Sequence, residues 1–461
     1  MSSLEGIGRV HFVGVGGVGM SGLALVASQR GLSVTGSDLK ASRATRQLER
    51  EGIGVRIGHA ASNIPGECDL VVVSSAIPPA NPELAAARKR GIEIWHRSQM
   101  LAALGEGRLT LACAGTHGKT TTSSMLATTA VGMGLDPTFV IGGTVSAYGV
   151  NARSGAGDLY VVEADESDGS FVHLSPHIAL VTNIEPDHLD HYGTIEAICD
   201  SFSDFISLVG DDGAAVVCAP DARLLALARE SASRVIGYGP AGCPGADVSF
   251  DAVERDGLAS SFRVSFPDGA TADVTLPRSP GLHNILDATG VMGVVWAAGL
   301  DVTAAAPALS GFGGVRRRFD LVGESSGVTV VDDYAHHPTE IAATIAAARD
   351  LGFAHVHVLF QPHRYTRTQS LAEAFGSAFD GADSVTFMDV YAAGEAPIPG
   401  VSGKTLVAST LAHDPRSQVA WMPHRLETAG YLASRLAPGD LLLTMGAGDV
   451  TSMGPVILDA L

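Results

Sequence analysis

At 461 residues the chain is too long for one ordinary core, and a prior of roughly 100–200 residues per domain asks for about three. Hydrophobic residues make up 46% of it and no low-complexity tract interrupts it, so a fibrous or disordered chain is excluded. A formal net charge of −19, from 49 acidic and 30 basic residues, opposes non-specific binding to nucleic acid or anionic membranes. Any anionic substrate must therefore meet locally concentrated positive charge. The five cysteines (Cys68, Cys113, Cys199, Cys218, Cys243) form no C-x-x-C pair, and they read as reduced thiols of a cytosolic protein. No basic-then-apolar leader is seen, and no apolar run approaches the ~18 residues of a membrane span, so a cytoplasmic location is expected.

In chain order, Val10–Val15, Ser33–Ser37 and Leu70–Ser74 read as buried parallel strands with helices between them. The first strand runs into Gly14-Val15-Gly16-Gly17-Val18-Gly19, a G-x-G-x-x-G turn, and Asp38 follows the next strand about 20 residues on. Glycines there let backbone approach a pyrophosphate, and an acid accepts from a sugar or base. A dinucleotide and a UDP-sugar satisfy that geometry equally, so the turn leaves both open. Gly105-Glu106-Gly107 then reads as a link to a second domain.

The second domain opens on a strand at Leu109–Ala114 followed by Gly115-Thr116-His117-Gly118-Lys119-Thr120-Thr121-Thr122 and a helix from about Lys119. Backbone N–H groups of such a turn cradle phosphate oxygens, Lys119 reaches the β- and γ-phosphates, and the Thr120 hydroxyl ligates Mg²⁺. Cys113 stands where the Walker pattern has its first glycine. Lys119 is one of only four lysines, and none lies between it and Lys404.

Further strands are expected at Asp158–Glu163 and Ile178–Asn183, each ending in an acidic cluster where ligands of open α/β sheets gather. Glu163 is the best Mg²⁺ ligand of the first cluster; Asp165, Glu166 and Asp168 could support the metal or simply be solvated. In the second, His188 could ligate a second metal or touch the transferring phosphoryl group. Val235–Leu276 reads as an antiparallel insertion or edge, and helices return around Asn284–Ala298. A third domain begins near Gly314, with strands at Val328–Asp332, His355–Phe360, Ser384–Met388 and Leu441–Thr444, and Pro338 opening a helix. Gly311–Val315 is the expected hinge.

Taken together, these residues resemble the Mur ligases nearly end to end. The resemblance rests on the glycine turn at 14–19, G-T-H-G-K-T-T-T at 115–122, E-A-D-E-S-D at 163–168, N-I-E-x-D-H-L-D at 183–190, G-x-H-N at 281–284, R-R-F-D at 317–320, D-D-Y-A-H-H-P at 332–338 and H-R-Y-T-R-T at 363–368. It implies an α/β protein of three domains: a Rossmann-like UDP-binding domain at 1–106, a P-loop ATPase-like domain at 107–313 and a Rossmann-like domain at 314–461. Gly14, Gly16, Gly17, Gly19, Ser37 and Asp38 would hold the UDP-sugar. ATP would meet Gly115, Thr116, His117, Gly118, Lys119, Thr120 and Thr121, with His283 and Asn284 near the adenine, Arg317 at the phosphates and Asp333 near the ribose. Thr120, Glu163 and His188 would hold the metal. Tyr334, His336, Arg364 and Arg367 match the amino-acid pocket, and the planar fork of arginine suits a free α-carboxylate.

The implied activity joins an amino acid to a nucleotide-linked carboxylate with ATP and Mg²⁺, through Lys119, His188, Arg317 and His336. Many Mur ligases that add later residues carry a carbamylated lysine downstream of D-H-x-D, and His191 to Asp212 contains no lysine. That favours the branch that adds L-alanine to UDP-N-acetylmuramate, opening stem-peptide assembly in peptidoglycan. No nucleic acid or membrane partner is implied, and a monomer or weak homodimer is expected. The competing readings are an NAD-dependent oxidoreductase, a non-catalytic nucleotide-binding protein and a sister ligase with another donor or acceptor.

Overall fold

Short β-branched strands separated by helices organise into three sheets in the computed structural model, which describes residues 3–461. The first is five-stranded and wholly parallel, in the spatial order Gly54–Ile57, Ser33–Asp38, Arg9–Val13, Leu70–Val73, Glu93–His96. Strand order reverses at Arg9–Val13, so the glycine turn leaves the sheet at its topological switch point. The second sheet has ten strands. Its Leu109–Ala114 strand lies between Ile178–Val181 and Leu159–Glu163, parallel to both. The carboxyl ends of these three strands therefore carry the phosphate turn and both acidic clusters. The α/β class expected from the sequence is the one observed.

One expectation needs correcting. Val235–Pro240 pairs in parallel with Ala214–Cys218 and with Val248–Asp256, so the first half of the 235–276 segment extends the parallel sheet. From there on the segment is the antiparallel edge expected: Val248–Asp256 turns through two residues into its neighbour Ala259–Ser265, and Ser261 to Thr275, Arg263 to Asp273 and Phe266 to Ala270 mark a second hairpin at the end of the sheet. The short connection between Val235–Pro240 and Val248–Asp256, rich in Gly and Pro, hides a parallel pairing that the sequence punctuation does not signal.

The third sheet orders its strands Asp320–Ser325, Val328–Asp333, Leu441–Met445, Val356–Phe360, Ser384–Phe387, Val419–Trp421, parallel except at the Asp320–Ser325 edge. Packing divides the chain into two units. One holds Met1–Val253, Ser261–Thr275 and Leu286–Gly313; the other holds Glu254–Ser260, Leu276–Ile285 and Gly314–Leu461. No helix among the described residues is long and apolar enough to cross a membrane.

Within the first unit, the five- and ten-stranded sheets are fixed to one another by close packing. The Tyr160 hydroxyl donates to the Leu101 carbonyl at 2.8 Å, and its ring sits 2.5 Å from where a Cβ on Gly105 would lie. The Val18–Gln29 helix packs on the Val150–Arg153 strand, where Asn151 Nδ2 donates to the Val18 carbonyl at 3.0 Å. This docking places the helix Arg97–Ala103 against the acidic run that follows Glu163.

A buried polar knot holds the first sheet to its helices. Glu83, fully buried, accepts from Ser37 Oγ at 2.7 Å and Asn63 Nδ2 at 2.9 Å, and faces His11 Nε2 at 2.9 Å and His59 Nδ1 at 3.0 Å. Burial alone would raise its carboxyl, but these hydrogen bonds outweigh it and hold the group near 2 instead of 4.5. An acid depressed on folding adds stability at pH above its ordinary value, and that stability is lost as pH falls toward 2. Glu83→Ala is expected to cost about 3–5 kcal/mol, the range for breaking a buried pair, and to flatten the acid limb of the stability profile. Denaturant titrations across the acid range check it; an unchanged acid limb would mean that the knot carries no charge.

Candidate functional site

The phosphate turn is built by two left-handed glycines. Gly115 (φ 135°) and Gly118 (φ 83°) bend the chain between the Leu109–Ala114 strand and the Lys119–Gly132 helix. No side chain caps that helix, so its first N–H groups are left for a ligand. The 182–185 turn braces the loop from behind: Thr116 N donates to the Asn183 carbonyl at 3.0 Å, His117 N to Asn183 Oδ1 at 2.9 Å, and Glu185 N to Thr116 Oγ1 at 2.9 Å. His117 Nε2 lies 3.4 Å from Glu185. Thr121 follows on the first turn of the helix.

Gly115 has no room for a side chain. A Cβ there would stand 2.0 Å from Thr182 Oγ1 and 3.0 Å from its backbone nitrogen. Gly115→Ala is therefore expected to displace the loop and abolish triphosphate binding while leaving the sheets formed. Titration with a fluorescent ATP analogue, with circular dichroism as the fold check, reads this; undiminished affinity would show that the loop geometry is not required.

Lys119 turns back into the loop. Its Nζ donates to the carbonyls of Gly115 (2.7 Å) and Thr116 (3.1 Å) and pairs with Glu166 at 2.7 Å. Burial pulls the ammonium down, yet Glu166, Asp165 and Glu163 together hold it above its ordinary value. Burial pushes the Glu166 carboxyl up to about 7 against the attraction of Lys119. At the next residue, Thr120 Oγ1 donates to Glu163 Oε1 at 2.9 Å, and Gly142 N donates to the other carboxylate oxygen at 2.6 Å. Burial raises Glu163 also, outweighing Lys119 and both hydrogen bonds.

Thr120 and Glu163 suit an Mg²⁺ ion. Two oxygens at ~2.0–2.1 Å from an octahedral ion lie roughly 2.9 Å apart when adjacent, the separation found here. A dication would also relieve the desolvation of Glu163. His188, in a left-handed conformation (φ 52°), places Nε2 at 3.8 Å from both Glu166 and Asp187. The side chain of Asp190, last in that motif, lies outside the described set.

Arg97 was not singled out by sequence reasoning. Its guanidinium meets Asp165 at 2.9 Å and Asp168 at 3.3 Å, and its Nη1 lies 3.7 Å from where a Cβ on Gly19 would sit. It thus joins the glycine turn of the first sheet to the acidic run of the second. Burial raises Asp165, but Lys119 and Arg97 outweigh it and draw the group down to about 2. Asp168 also accepts from Ser75 Oγ at 3.1 Å.

In the glycine turn itself, Gly14 N and Val15 N donate to the Ser37 carbonyl at 2.8 and 2.9 Å, and Gly17 N to the Gly14 carbonyl at 3.3 Å. Gly16 N donates to Asp38 Oδ2 at 2.9 Å. Asp38 is thus brought to the turn as expected. Ser37 is different: its side chain is fully buried and committed to Glu83, so only its backbone serves the loop.

The second unit assembles its own cluster. Arg317 (φ 63°) donates through Nη2 to the carbonyls of Gly446 (2.6 Å) and Gly448 (3.2 Å), and its guanidinium lies 4.6 Å over the Tyr334 ring. Asp333 accepts from Phe319 N at 2.8 Å and Ala335 N at 2.7 Å, and burial raises it to about 6. His336 Nδ1 faces the Tyr334 carbonyl at 3.0 Å and Glu340 at 3.3 Å. The rings of Tyr334 and His363 flank it at 5.4 and 5.8 Å. Arg364 (φ 67°) starts the Tyr365–Ser370 helix, and Arg367 Nη1 lies 3.3 Å from His363 Nδ1.

Burial, with His336 and the two arginines, depresses His363 to about 3, and its ring stacks on Tyr391 at 5.8 Å. His363 and Tyr391 join this cluster without having been singled out from sequence. Asn284 Nδ2 donates to the Pro280 carbonyl at 2.7 Å and lies 3.1 Å from His283 Nε2. Burial keeps His283 near 4.

Three family models match consecutive stretches of the chain: the Mur ligase family catalytic domain over residues 9–108, the Mur ligase middle domain over 113–295, and the Mur ligase glutamate ligase domain over 317–448. A UDP-N-acetylmuramate–L-alanine ligase of Renibacterium salmoninarum is 46% identical over 462 residues, spanning 99% of this chain and 97% of the relative. One from Thermobifida fusca is also 46% identical, over 99% of this chain and 98% of its own. Among solved structures, the UDP-N-acetylmuramate-alanine ligase of Thermotoga maritima superposes with a TM-score of 0.80 at 26% identity, covering 98% of each chain. A murein peptide ligase from Psychrobacter arcticus gives 0.72 at 26% identity, covering 99% of this chain and 98% of that one. With all three stretches matched and relatives aligned over nearly their whole length, the chain belongs to the Mur ligase family.

Proposed function

We propose that this chain joins L-alanine to the lactoyl carboxylate of UDP-N-acetylmuramate, cleaving ATP to ADP and phosphate, as the first stem-peptide step of peptidoglycan synthesis. The observation that carries this reading is the convergence of Lys119, Thr120 and Glu163 at the carboxyl end of the central strand. The printed activity of the relatives at 46% identity supports the donor and acceptor. In this reading residues 1–106 take the UDP-sugar, 107–313 take MgATP and 314–461 take the amino acid.

A carboxylate has no workable leaving group at neutral pH. Its oxygen attacks the γ-phosphorus, ADP departs, and an acyl phosphate remains. The alanine amine then attacks the acyl carbon, gives up a proton, and the tetrahedral intermediate expels phosphate. Lys119 offsets the repulsion between carboxylate and triphosphate, because phosphoryl transfer depends on positioning and electrostatics. Thr120 and Glu163 would hold Mg²⁺, which supplies Lewis-acid charge to the phosphates when bound.

His336 is the base for the amine. Its Nδ1 faces two acceptors, the Tyr334 carbonyl and Glu340, which places the proton there and leaves the Nε2 lone pair for the substrate. His188 Nε2 faces two carboxylates, an arrangement suited to holding charge near the phosphoryl group. Arg317 serves the ATP phosphates, His283 and Asn284 the adenine, and Asp333 the ribose. Arg364 and Arg367 receive the α-carboxylate beside Tyr334. Phosphate release measured with UDP-N-acetylmuramate, ATP and a panel of amino acids tests the reading: release should require all three substrates and favour alanine. No release above background with alanine would overturn it.

A further inference from the structure

Away from the reaction, the second unit gathers two histidines and a buried carboxylate on one face of its sheet. Val356–Phe360 pairs in parallel with Leu441–Met445 in the register Val356↔Leu441, and Leu441 N donates to the His355 carbonyl at 2.9 Å. One residue earlier, His355 therefore stands across from Asp440. Side chains alternate along a strand, so His355 and His357 share a face, with Asp440 beside the first and Ser384, the register partner of His357, beside the second. The contacts follow that layout. His355 Nδ1 lies 2.9 Å from Asp440 Oδ1, and His357 Nε2 lies 3.2 Å from Oδ2.

We propose that His355, His357 and Asp440 form a binding site for a divalent transition-metal ion of the zinc class. Their ligand atoms lie within 4.8 Å of one another. A tetrahedral ion held at ~2.0–2.2 Å separates neighbouring ligand atoms by roughly 3.3–3.6 Å, so the imidazole–carboxylate contacts at 2.9 and 3.2 Å, one to each carboxylate oxygen, would open by well under an ångström to admit it. Two neutral imidazoles and one carboxylate are borderline ligands, which favours zinc-like ions over Mg²⁺.

The supporting contacts are those a metal site requires. Asp440 is only 2% exposed, and its Oδ2 also accepts from Ala437 N at 2.8 Å. His357 Nδ1 lies 2.7 Å from Ser384 Oγ. With Nδ1 donating to that hydroxyl, the ring would present its Nε2 lone pair to an ion seated beside the carboxylate, the orientation that an outer hydrogen bond gives a ligating histidine. The His355 side chain is 57% exposed, which leaves coordination positions open to water, as in sites with three protein ligands. Tyr334, Arg364 and Arg367 follow the carboxyl ends of the strands, roughly 16 Å along a five-residue strand from this amino-terminal edge. The site is therefore independent of the proposed reaction.

Equilibrium dialysis of the full chain against Zn²⁺ in excess Mg²⁺ tests this, with His355→Gln and His357→Gln as variants. His355 is largely exposed, so its replacement leaves packing intact; glutamine at 357 keeps a donor for Ser384. Wild type should retain one more Zn²⁺ per chain than either variant, and Zn²⁺ should raise its melting temperature more than theirs. Equal stoichiometry in all three proteins would overturn the proposal. Co²⁺ provides a second reading: an intense visible band from low-symmetry coordination in wild type, lost in both variants. The same weak band in all three would likewise refute it.

Discussion

Lys119→Ala should lower the rate of alanine-dependent phosphate release by about 10²–10³-fold, the ~2.7–4 kcal/mol scale of one preorganised donor. The effect is large because no other lysine lies between Lys119 and Lys404 and Thr120 is already committed to Glu163. Stability should change in a pH-dependent way. Lys119 is the ion-pair partner of Glu166 at 2.7 Å, and its loss leaves a buried carboxyl already raised to about 7 with less to hold its charge. An acid whose folded value lies above its ordinary 4.5 costs stability as pH rises past that value, since only the unfolded chain ionises freely. Lys119→Ala should therefore melt closer to wild type in mildly acidic than in mildly alkaline buffer. Wild-type phosphate release from the variant would remove the lysine from the mechanism.

Glu163→Gln is expected to produce a loss of similar size, about 10²–10³-fold in rate, with a distinct signature. The side chain keeps its shape, its amide oxygen can still accept from Gly142 N and its amide nitrogen can donate to Thr120 Oγ1, so the fold should persist. What it loses is the charge that, in the proposed site, would draw Mg²⁺ to a buried position. The Mg²⁺ concentration for half-maximal rate should rise at least tenfold, and added Mg²⁺ should recover part of the rate. If Glu163 merely braces the Thr138–Val145 strand through Gly142, the Mg²⁺ dependence will stay where it is in wild type.

Sequence reasoning reached the elements that follow local rules. The strand before Gly115, the helix from Lys119 and the helix opened by Pro338 all appear within a residue or two of expectation. Those features are carried by turn glycines, an N1 proline and apolar runs, each readable within a short window. What stayed hidden depends on which distant segments meet. Arg97 looks like any surface arginine until docking of the first two sheets sets it against Asp165 and Asp168. Ser37 sits beside Asp38 in the sequence, but strand alternation points its hydroxyl toward Glu83, 46 residues away. Glu166 lay within an acidic run of four carboxyls, and only tertiary packing selects it as the partner of Lys119. The parallel pairing of Val235–Pro240 with Val248–Asp256 failed for the same reason, since strand direction is decided by the partner.

Cys113 illustrates the opposite case. It departs from the usual phosphate-loop wording, yet it is fully buried in the central strand and its thiol is pushed up by burial. The glycines that bend the loop are Gly115 and Gly118, so the missing one alters no part of the phosphate-facing backbone.

The proposed reaction turns on transfer of a carboxylate oxygen to phosphorus at the loop that holds Lys119. UDP-N-acetylmuramate carrying heavy oxygen in its lactoyl carboxylate should, with ATP and L-alanine, yield inorganic phosphate bearing one labelled oxygen per turnover. Phosphate released with no label, in step with product formation, would contradict activation through an acyl phosphate.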